Sequence, residues 1–190
     1  MKTTTSPILP HNPTTLAFVL AGKCYVTLEQ VIDGQRATYH VAQKGEMGDV
    51  TDPKTGKTTR TVVRRFPLWF VSTQHGAIGG GKKLYLGVVD ETTFRTTKKT
   101  AKNPYATAFN INLFGDLLGA LRGGKSLAHQ INVYHCGRCG RCTRALSVPS
   151  SLLTGLGPDC AEVMGIAMVT TAATALQKLA SLGPAQAQAV

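Results

Sequence analysis

The sequence predicts an α+β protein in which an antiparallel β-meander with one packed helix precedes a small cysteine-rich module. Three observations support this fold class. Short apolar segments separated by glycine turns occupy residues 24–97, as is typical of antiparallel strands. Apolar residues then recur with a helical period over residues 105–121. Four of the five cysteines follow within a short stretch, which is the usual arrangement of a metal-binding module.

The first strands are predicted as a hairpin. Residues 1–15 are rich in Thr and Pro and are expected to be flexible. Residues 16–20 are apolar and fit either a strand or a helical turn. Residues 24–29 read as a strand, the Asp-Gly pair at 33–34 supplies a turn, and residues 36–41 alternate as the return strand.

The middle of the chain alternates between loops and strands. Residues 44–60 are rich in Gly, Asp, Lys and Thr, and residues 52–57 within them predict a surface loop. Residues 60–72 read as a strand pair or a bulged strand, with Pro67 at an edge or bulge. Further strands are predicted at 84–89 and 92–97, which completes the meander.

A helix is predicted after the meander. Its apolar stripe recurs every four residues, at Phe109, Leu113, Leu117 and Leu121, and Gly123-Gly124 ends it. Residues 130–134 predict a short strand. A final helix is expected from Ala161 to about Leu182.

Five potential metal ligands follow that short strand: His135, Cys136, Cys139, Cys142 and Cys160. A Cys-x2-Cys pair can place two sulfurs on one ion, and the intervening glycines permit the necessary turn. A structural zinc ion takes four N or S ligands. One of the five donors is therefore surplus, either a cysteine or His135.

The downstream half predicts a helix start at the last cysteine. Pro158 suits the first helical position, and Asp159 suits the first turn. Cys160 would then lie near a helix N-terminus, where its thiolate is favoured. A knuckle facing a helix start is a treble-clef-like zinc finger, and four protein ligands would make its one zinc ion structural rather than catalytic.

These residues also resemble a known family. The spacing Cys139-x2-Cys142-x-Arg144-x-Leu146-x2-Pro149-x-Ser151-x3-Gly155-Leu156-Gly157-Pro158-x-Cys160 is similar to the signature of a small zinc-binding domain of unknown function, found in phage and prophage proteins. An aromatic-His pair (Tyr134-His135) and three upstream segments (Phe70-Val71-Ser72, Tyr85-Leu86-Gly87, Thr93-Phe94-Arg95) match longer members. The resemblance implies the zinc ligands His135, Cys139, Cys142 and Cys160, with Cys136 as the alternative fourth ligand. It implies no activity.

The predicted organisation has four parts: a flexible N-terminus (1–15), a β-rich domain (16–130) with its helix at 105–121, a zinc finger with the C-terminal helix (131–182), and a flexible tail (183–190).

The charge balance predicts a polyanionic partner. Lys and Arg total 21 against 10 acidic residues, a net charge of +11. Aromatic residues lie among the cations, which suits single-stranded nucleic acid. The predicted nucleic-acid-binding residues are Arg64, Arg65, Lys82, Lys83, Arg95, Lys98, Lys99, Lys102, Arg138, Arg141 and Arg144. The alternative is a protein that binds and inhibits a host defence or transcription factor.

Other function classes are disfavoured. The segment 119–126 matches the phosphate-binding pattern G-x4-G-K-S, but it ends a predicted helix, so no nucleotide is expected there. The histidines lack acidic partners and the acidic residues are dispersed, so we expect no enzyme activity. Apolar runs are too short for a membrane span or a signal core, and we expect a cytoplasmic protein, in the host cell if it is phage-encoded.

Overall fold

A computed structural model describes residues 8–78, 80–91 and 93–166 and has an α+β fold. The strands are β1 (Ile8–Leu9), β2 (Lys23–Gln30), β3 (Arg36–Thr51), β4 (Thr58–His75), β5 (Lys82–Val89), β6 (Phe94–Arg95) and β7 (Ile131–His135). The helices are α1 (Pro13–Val19), α2 (Ala108–Arg122), α3 (Pro149–Thr154) and α4 (Pro158–Val163).

The seven strands form one antiparallel sheet in the order β1-β7-β2-β3-β4-β5-β6. The predicted meander is confirmed from β2 to β6. Strand β7 lies between β1 and β2, with Val133 opposite both Leu9 and Leu28. The predicted finger segment, which begins at residue 131, therefore contributes its first strand to the interior of the sheet. The proposed division into domains stays a prediction.

One face of the sheet carries the core. Val26, Leu28 and Tyr39 are fully buried on it, because alternate residues of a strand point to the same side. Helix α2 packs there: the Tyr39 hydroxyl donates to the Asn110 carbonyl at 2.9 Å, and the Tyr39 and Phe114 rings are 5.1 Å apart. The predicted stripe of α2 is confirmed.

The predicted surface loop at residues 52–57 is confirmed as the turn between β3 and β4. Strands β3 and β4 run on past their neighbours as a two-stranded ribbon, here called the β3–β4 arm (residues 44–65). Only residues 52–57 form its turn. The strand residues 44–51 and 58–59 on either side of this turn were not predicted, because the arm buries little and its residues lack the alternation that marks a half-buried strand. The predicted bulge at Pro67 is confirmed: the pairing register shifts between Gln43 and Gly45.

Part of the predicted flexible N-terminus is ordered. Residues 8–9 form β1, and Asn12 caps α1 by accepting a hydrogen bond from Thr15 N–H at 3.1 Å. Leu9 and Thr15 are buried. Pairing with β7, which lies more than 120 positions away in sequence, holds this segment. Residues 16–19, predicted as strand or helix, are helical.

Two further predictions concern segment 119–126 and the helix expected from Ala161. Gly119 lies inside the last turns of α2, and Gly123 caps it, so segment 119–126 overlaps the end of a helix instead of opening one. The predicted helix from Ala161 begins earlier, at Pro158, and ends at Val163, because Gly165 takes a positive φ of 66°. Residues 167–190 lie outside the described residues. Within the described part, no helix is long and apolar enough to cross a membrane.

Candidate metal centre

A folded loop, here called the cysteine knuckle (residues 136–146), follows β7. Its own backbone holds it: Cys139 N–H donates to the Arg144 carbonyl at 2.9 Å, and Leu146 N–H to the Gly137 carbonyl at 2.8 Å. The knuckle is joined to the sheet by Lys23 N–H, which donates to the Gly140 carbonyl at 2.8 Å. The knuckle therefore lies beside the start of β2.

Two glycines allow the knuckle and α3 to approach the Phe18 ring of α1. A Cβ at Gly140 would lie 2.8 Å from a ring carbon of Phe18, and one at Gly155 would lie 2.5 Å away. Gly155 also takes a left-handed φ of 71° as the C-cap of α3, a conformation that favours glycine. Gly140 N–H donates to the Gly155 carbonyl at 3.0 Å. These contacts bring the knuckle against the segment that carries the last cysteine.

Three thiols meet at this junction. The sulfurs of Cys139, Cys142 and Cys160 all lie within 4.8 Å of one another. Cys160 lies in the first turn of α4, with Pro158 and Asp159 before it as predicted. Gly157 N–H donates to the Cys139 sulfur at 3.4 Å. Three sulfurs at this separation can share one metal ion, since zinc–sulfur bonds are about 2.3 Å long.

The electrostatics of the three thiols favour a bound cation. Burial opposes ionisation of Cys139, but hydrogen bonds from the backbone of Gly157, Cys142 and Arg141 outweigh it and lower the pKa of that thiol. Burial is the main cause that raises the pKa of Cys160 to about 12. Hydrogen bonds with Cys142 and Cys139, and their charges, raise it further. Three thiolates cannot all form this close together unless a cation compensates their charge.

His135, the predicted fourth ligand, is not a member of this group. Its Nε2 donates to the Leu152 carbonyl at 2.7 Å, and its Nδ1 accepts from Gly137 N–H at 3.1 Å. The ring is buried next to Phe18, and this burial lowers its pKa. Both nitrogens of the neutral ring are thus used in positioning α3 and the knuckle.

Cys136, the alternative fourth ligand, also lies outside the group. Its thiol is half-buried, and burial raises its pKa. Cys24 on β2 is fully buried and close enough to Cys136 and Cys139 for their charges to raise its own pKa, after the larger effect of burial. Spacing alone did not predict that Cys24 lies beside the knuckle.

The structure divides the predicted nucleic-acid-binding residues into two groups. Those along β5, β6 and the following segment are Lys82, Lys83, Arg95, Lys98, Lys99 and Lys102. The others lie at one end of the sheet: Arg64 and Arg65 at the base of the arm, and Arg138, Arg141 and Arg144 in the knuckle. Gly22 and Lys23 join the arm and the knuckle, because the Gly22 carbonyl accepts from Gln43 N–H at 3.0 Å.

The sheet face opposite the core carries tyrosines with cations over their rings. Lys83 Nζ is 5.1 Å from the Tyr25 ring, and Lys99 Nζ is 5.3 Å from the Tyr85 ring. Arg36 lies 5.3 Å from the Tyr134 ring and also pairs with Glu29. Sequence reasoning missed Tyr25, Tyr134 and Arg36, although the alternation of β2 with Val26 and Leu28 inward placed Tyr25 outward.

Three of the aromatic residues that lie among the cations in sequence, Phe66, Trp69 and Phe94, differ in their packing. The Trp69 indole N–H donates to the Leu20 carbonyl at 2.7 Å, and Phe94 packs on Phe114 at 5.1 Å between ring centroids. Both pack against the core. Phe66, at the base of the arm, instead carries Lys44 and Arg64 over its ring. Phe66 therefore belongs with the cation-covered rings.

The cysteine-rich part is where the chain is similar to a known protein family. No curated protein and no solved structure matches the chain. Residues 133–165, which span the end of β7, the knuckle, α3 and α4, match the model of DUF6011, a family of unknown function. The part of the chain that resembles a known family is therefore the part that brings three cysteines together.

Proposed function

We propose that this protein is a zinc-stabilised, non-enzymatic accessory protein of a phage or mobile element that binds nucleic acid, with single strands favoured. Zinc is bound by Cys139, Cys142 and Cys160, since three thiolates form a soft site that suits this ion. The metal holds the knuckle and α4 together. The resemblance of the cysteine segment supports the mobile-element origin, and the sheet supports the binding role.

The observation that carries the binding role is the series of cation–ring pairs on the sheet face opposite the core. Lys83 over Tyr25 and Lys99 over Tyr85 each place a positive charge beside an aromatic face. A nucleotide presents a phosphate next to a base, so such a pair offers one contact to each. Tyr25 is 8% exposed beneath Lys83. Lysine side chains are flexible enough to leave a ring for a phosphate, which uncovers the ring for a base.

The excess of positive side chains without acidic partners in the described part of the chain also supports nucleic-acid binding. The net charge is +11, and the described residues form two ion pairs, Glu29–Arg36 and Asp90–Arg95. Of the eleven predicted contact residues, Arg95 is the one with an acidic partner in that part of the chain. Unpaired cations bind phosphate without first breaking an ion pair.

Fluorescence anisotropy with the zinc-loaded protein tests the proposal. Labelled single-stranded DNA, duplex DNA and RNA are titrated across a salt series. We expect single strands to bind most tightly, with a log–log salt slope of about −0.7 for each phosphate contacted. Flat traces for all three nucleic acids would contradict the proposal.

A charge-matched pair of double variants separates a specific surface from net charge. Lys83→Ala with Lys99→Ala should weaken single-strand binding and reduce the magnitude of the salt slope by about 1.4, which corresponds to two phosphate contacts. Lys54→Ala with Lys57→Ala removes the same charge at the turn of the arm and should have a much smaller effect. Equal losses in both variants would show that only net charge matters.

The β3–β4 arm favours a second candidate, the binding of a host protein. Beyond Gln43 and Trp69 both edges of the arm lack a neighbouring strand among the described residues. Met47, Val50 and Val63 are each about half exposed on it. An open strand edge with exposed apolar side chains suits β-augmentation by a partner. Pull-down with the arm-shortened chain as control would test this role if nucleic acids fail to bind.

A further inference from the structure

A cleft of about 360 Å³ opens beside the three thiols. All three cysteines of the group line it. One part of its wall is apolar, formed by Leu146, Val148 and Val163, and another part carries Arg141 and Arg144. Cys142 is exposed and Cys160 is half-buried. Solvent therefore reaches the metal group from the cleft side.

The chain supplies three ligating side chains to this group within the described residues, although zinc takes four ligands. His135 uses both ring nitrogens in hydrogen bonds to the backbone of Leu152 and Gly137. The residues outside the described part include no His, Cys, Asp or Glu. Another ligating side chain would thus require that the hydrogen bonds of His135 break, that Cys136 leave its place, or that Asp159, which lines the cleft outside the three-thiol group, turn to the metal.

Ser151 provides an independent indication of a ligand in the cleft. This side chain of α3 lines the cleft and is 1% exposed, yet its Oγ has no hydrogen-bond partner among the described residues. A buried hydroxyl without a partner costs free energy. An acceptor on a molecule bound in the cleft would satisfy it.

The charges of the wall select the chemical class of that molecule. Three thiolates, a divalent ion and Asp159 leave two net negative charges, and Arg141 and Arg144 balance them. A carboxylate can therefore pair with the guanidinium groups without entering a net negative wall. A metal ion with three thiolate ligands favours a soft fourth donor such as sulfur.

We propose that the fourth coordination position faces this cleft and takes the sulfur of a small thiol that carries a carboxylate. The proposal rests on the metal site proposed above. The thiol gives its proton to solvent as its sulfur binds the metal. Arg141 and Arg144 attract the carboxylate, and the Ser151 hydroxyl donates to an oxygen of the bound molecule.

The test uses the full chain loaded with Co²⁺ in anaerobic, thiol-free buffer and titrated with N-acetylcysteine. We expect saturable growth of the thiolate-to-cobalt charge-transfer absorption by about one third, as a fourth sulfur joins three. The S-methyl thioether of N-acetylcysteine should give no change. 2-Mercaptoethanol, which has no carboxylate, should require a higher concentration.

Two serine variants of α3 locate the bound molecule. Ser151→Ala should raise the half-saturating concentration of N-acetylcysteine by about 2- to 10-fold, the effect of one hydrogen bond. It should leave thermal stability unchanged or slightly higher, because the hydroxyl has no partner among the residues that the structure describes. Ser150→Ala, in the same helix but outside the lining of the cleft, should change neither quantity.

The outcomes separate this proposal from the metal site itself. Absence of any charge-transfer band after Co²⁺ addition would overturn both. A band that does not respond to N-acetylcysteine, or that reflects four sulfurs beforehand and weakens in Cys136→Ser, would overturn only the open position. Loss of cobalt from the protein on thiol addition would overturn it as well.

Discussion

The sheet and the cysteine knuckle are stabilised by different interactions. Around Tyr39 and Phe114 the sheet buries large apolar side chains against α2. The knuckle buries little besides Cys139, and backbone hydrogen bonds hold its loop. Apolar burial supports the sheet without a cofactor, whereas a short loop with few buried groups gains most from the metal proposed above. Metal loss should therefore affect the knuckle far more than the sheet.

The largest expected effect is the loss of metal from Cys142→Ser. Removing a ligand should lower zinc affinity by more than about 100-fold, since changes to the second shell alone cost about 10- to 100-fold. Hydrogen exchange should then speed up in residues 136–165 and remain slow in β2 and β3. Metal analysis and hydrogen-exchange mass spectrometry measure both quantities.

Cys136→Ser is the matched control for that variant, because its sulfur lies outside the three-thiol group. It should retain zinc and normal exchange. If exchange in the sheet rose as much as in the knuckle, the two regions would not differ in the way described.

The second effect comes from Phe18, which joins the two regions. Its ring touches Gly140 and Gly155 and lies 6.0 Å from the His135 ring. Phe18→Ala should cost about 3–5 kcal/mol of unfolding free energy and also weaken zinc binding, because it leaves a cavity behind the knuckle. Phe109→Ala on α2 should destabilise the fold with little change in zinc affinity. Denaturant unfolding and a competitive zinc titration check the pair.

A smaller effect is expected within the sheet alone. Tyr39→Phe removes the hydroxyl that donates to the Asn110 carbonyl at 2.9 Å. The loss of one net hydrogen bond should cost about 1 kcal/mol. Zinc affinity should not change. A shift in zinc affinity comparable to that of Phe18→Ala would show that the regions are coupled throughout the core.

The smallest effect concerns pH and His40 on β3. Burial, with a further contribution from the Lys83 charge, lowers the pKa of His40 to about 4. The unfolded chain binds this proton near pH 6.5, so stability is present above that value and falls as pH decreases from 6.5 towards 4. Because the ring is partly exposed, screening limits the loss to about 1 kcal/mol. His40→Gln should flatten this part of the stability–pH curve.

His129→Gln, at an exposed position, is the control for His40. It should leave the curve unchanged. Urea unfolding at pH 4.5, 5.5, 6.5 and 7.5 measures the difference. A parallel curve for wild type and His40→Gln would show that His40 protonates equally in both states.

Much of the sheet was predictable because its strands have a clear local pattern. Residues 24–29 and 36–41 alternate apolar and polar positions around an Asp-Gly turn, and both are strands of the structure. The stripe of α2 was equally clear. The β3–β4 arm was not predictable, since an exposed ribbon has no buried side to reveal its period. The position of β7 between β1 and β2 depends on long-range pairing that no local pattern contains.

The sequence alone predicted the meander, the main helix and the grouping of the three cysteines. Turn residues, apolar periodicity and thiol spacing are local features that a sequence displays directly. The tertiary structure was needed to show that the ring nitrogens of His135 meet backbone groups of Gly137 and Leu152. Only it placed the cleft with Ser151 beside the thiols and the tyrosines under their cations. These features depend on contacts between residues that are far apart in the chain, and local sequence patterns do not specify such contacts.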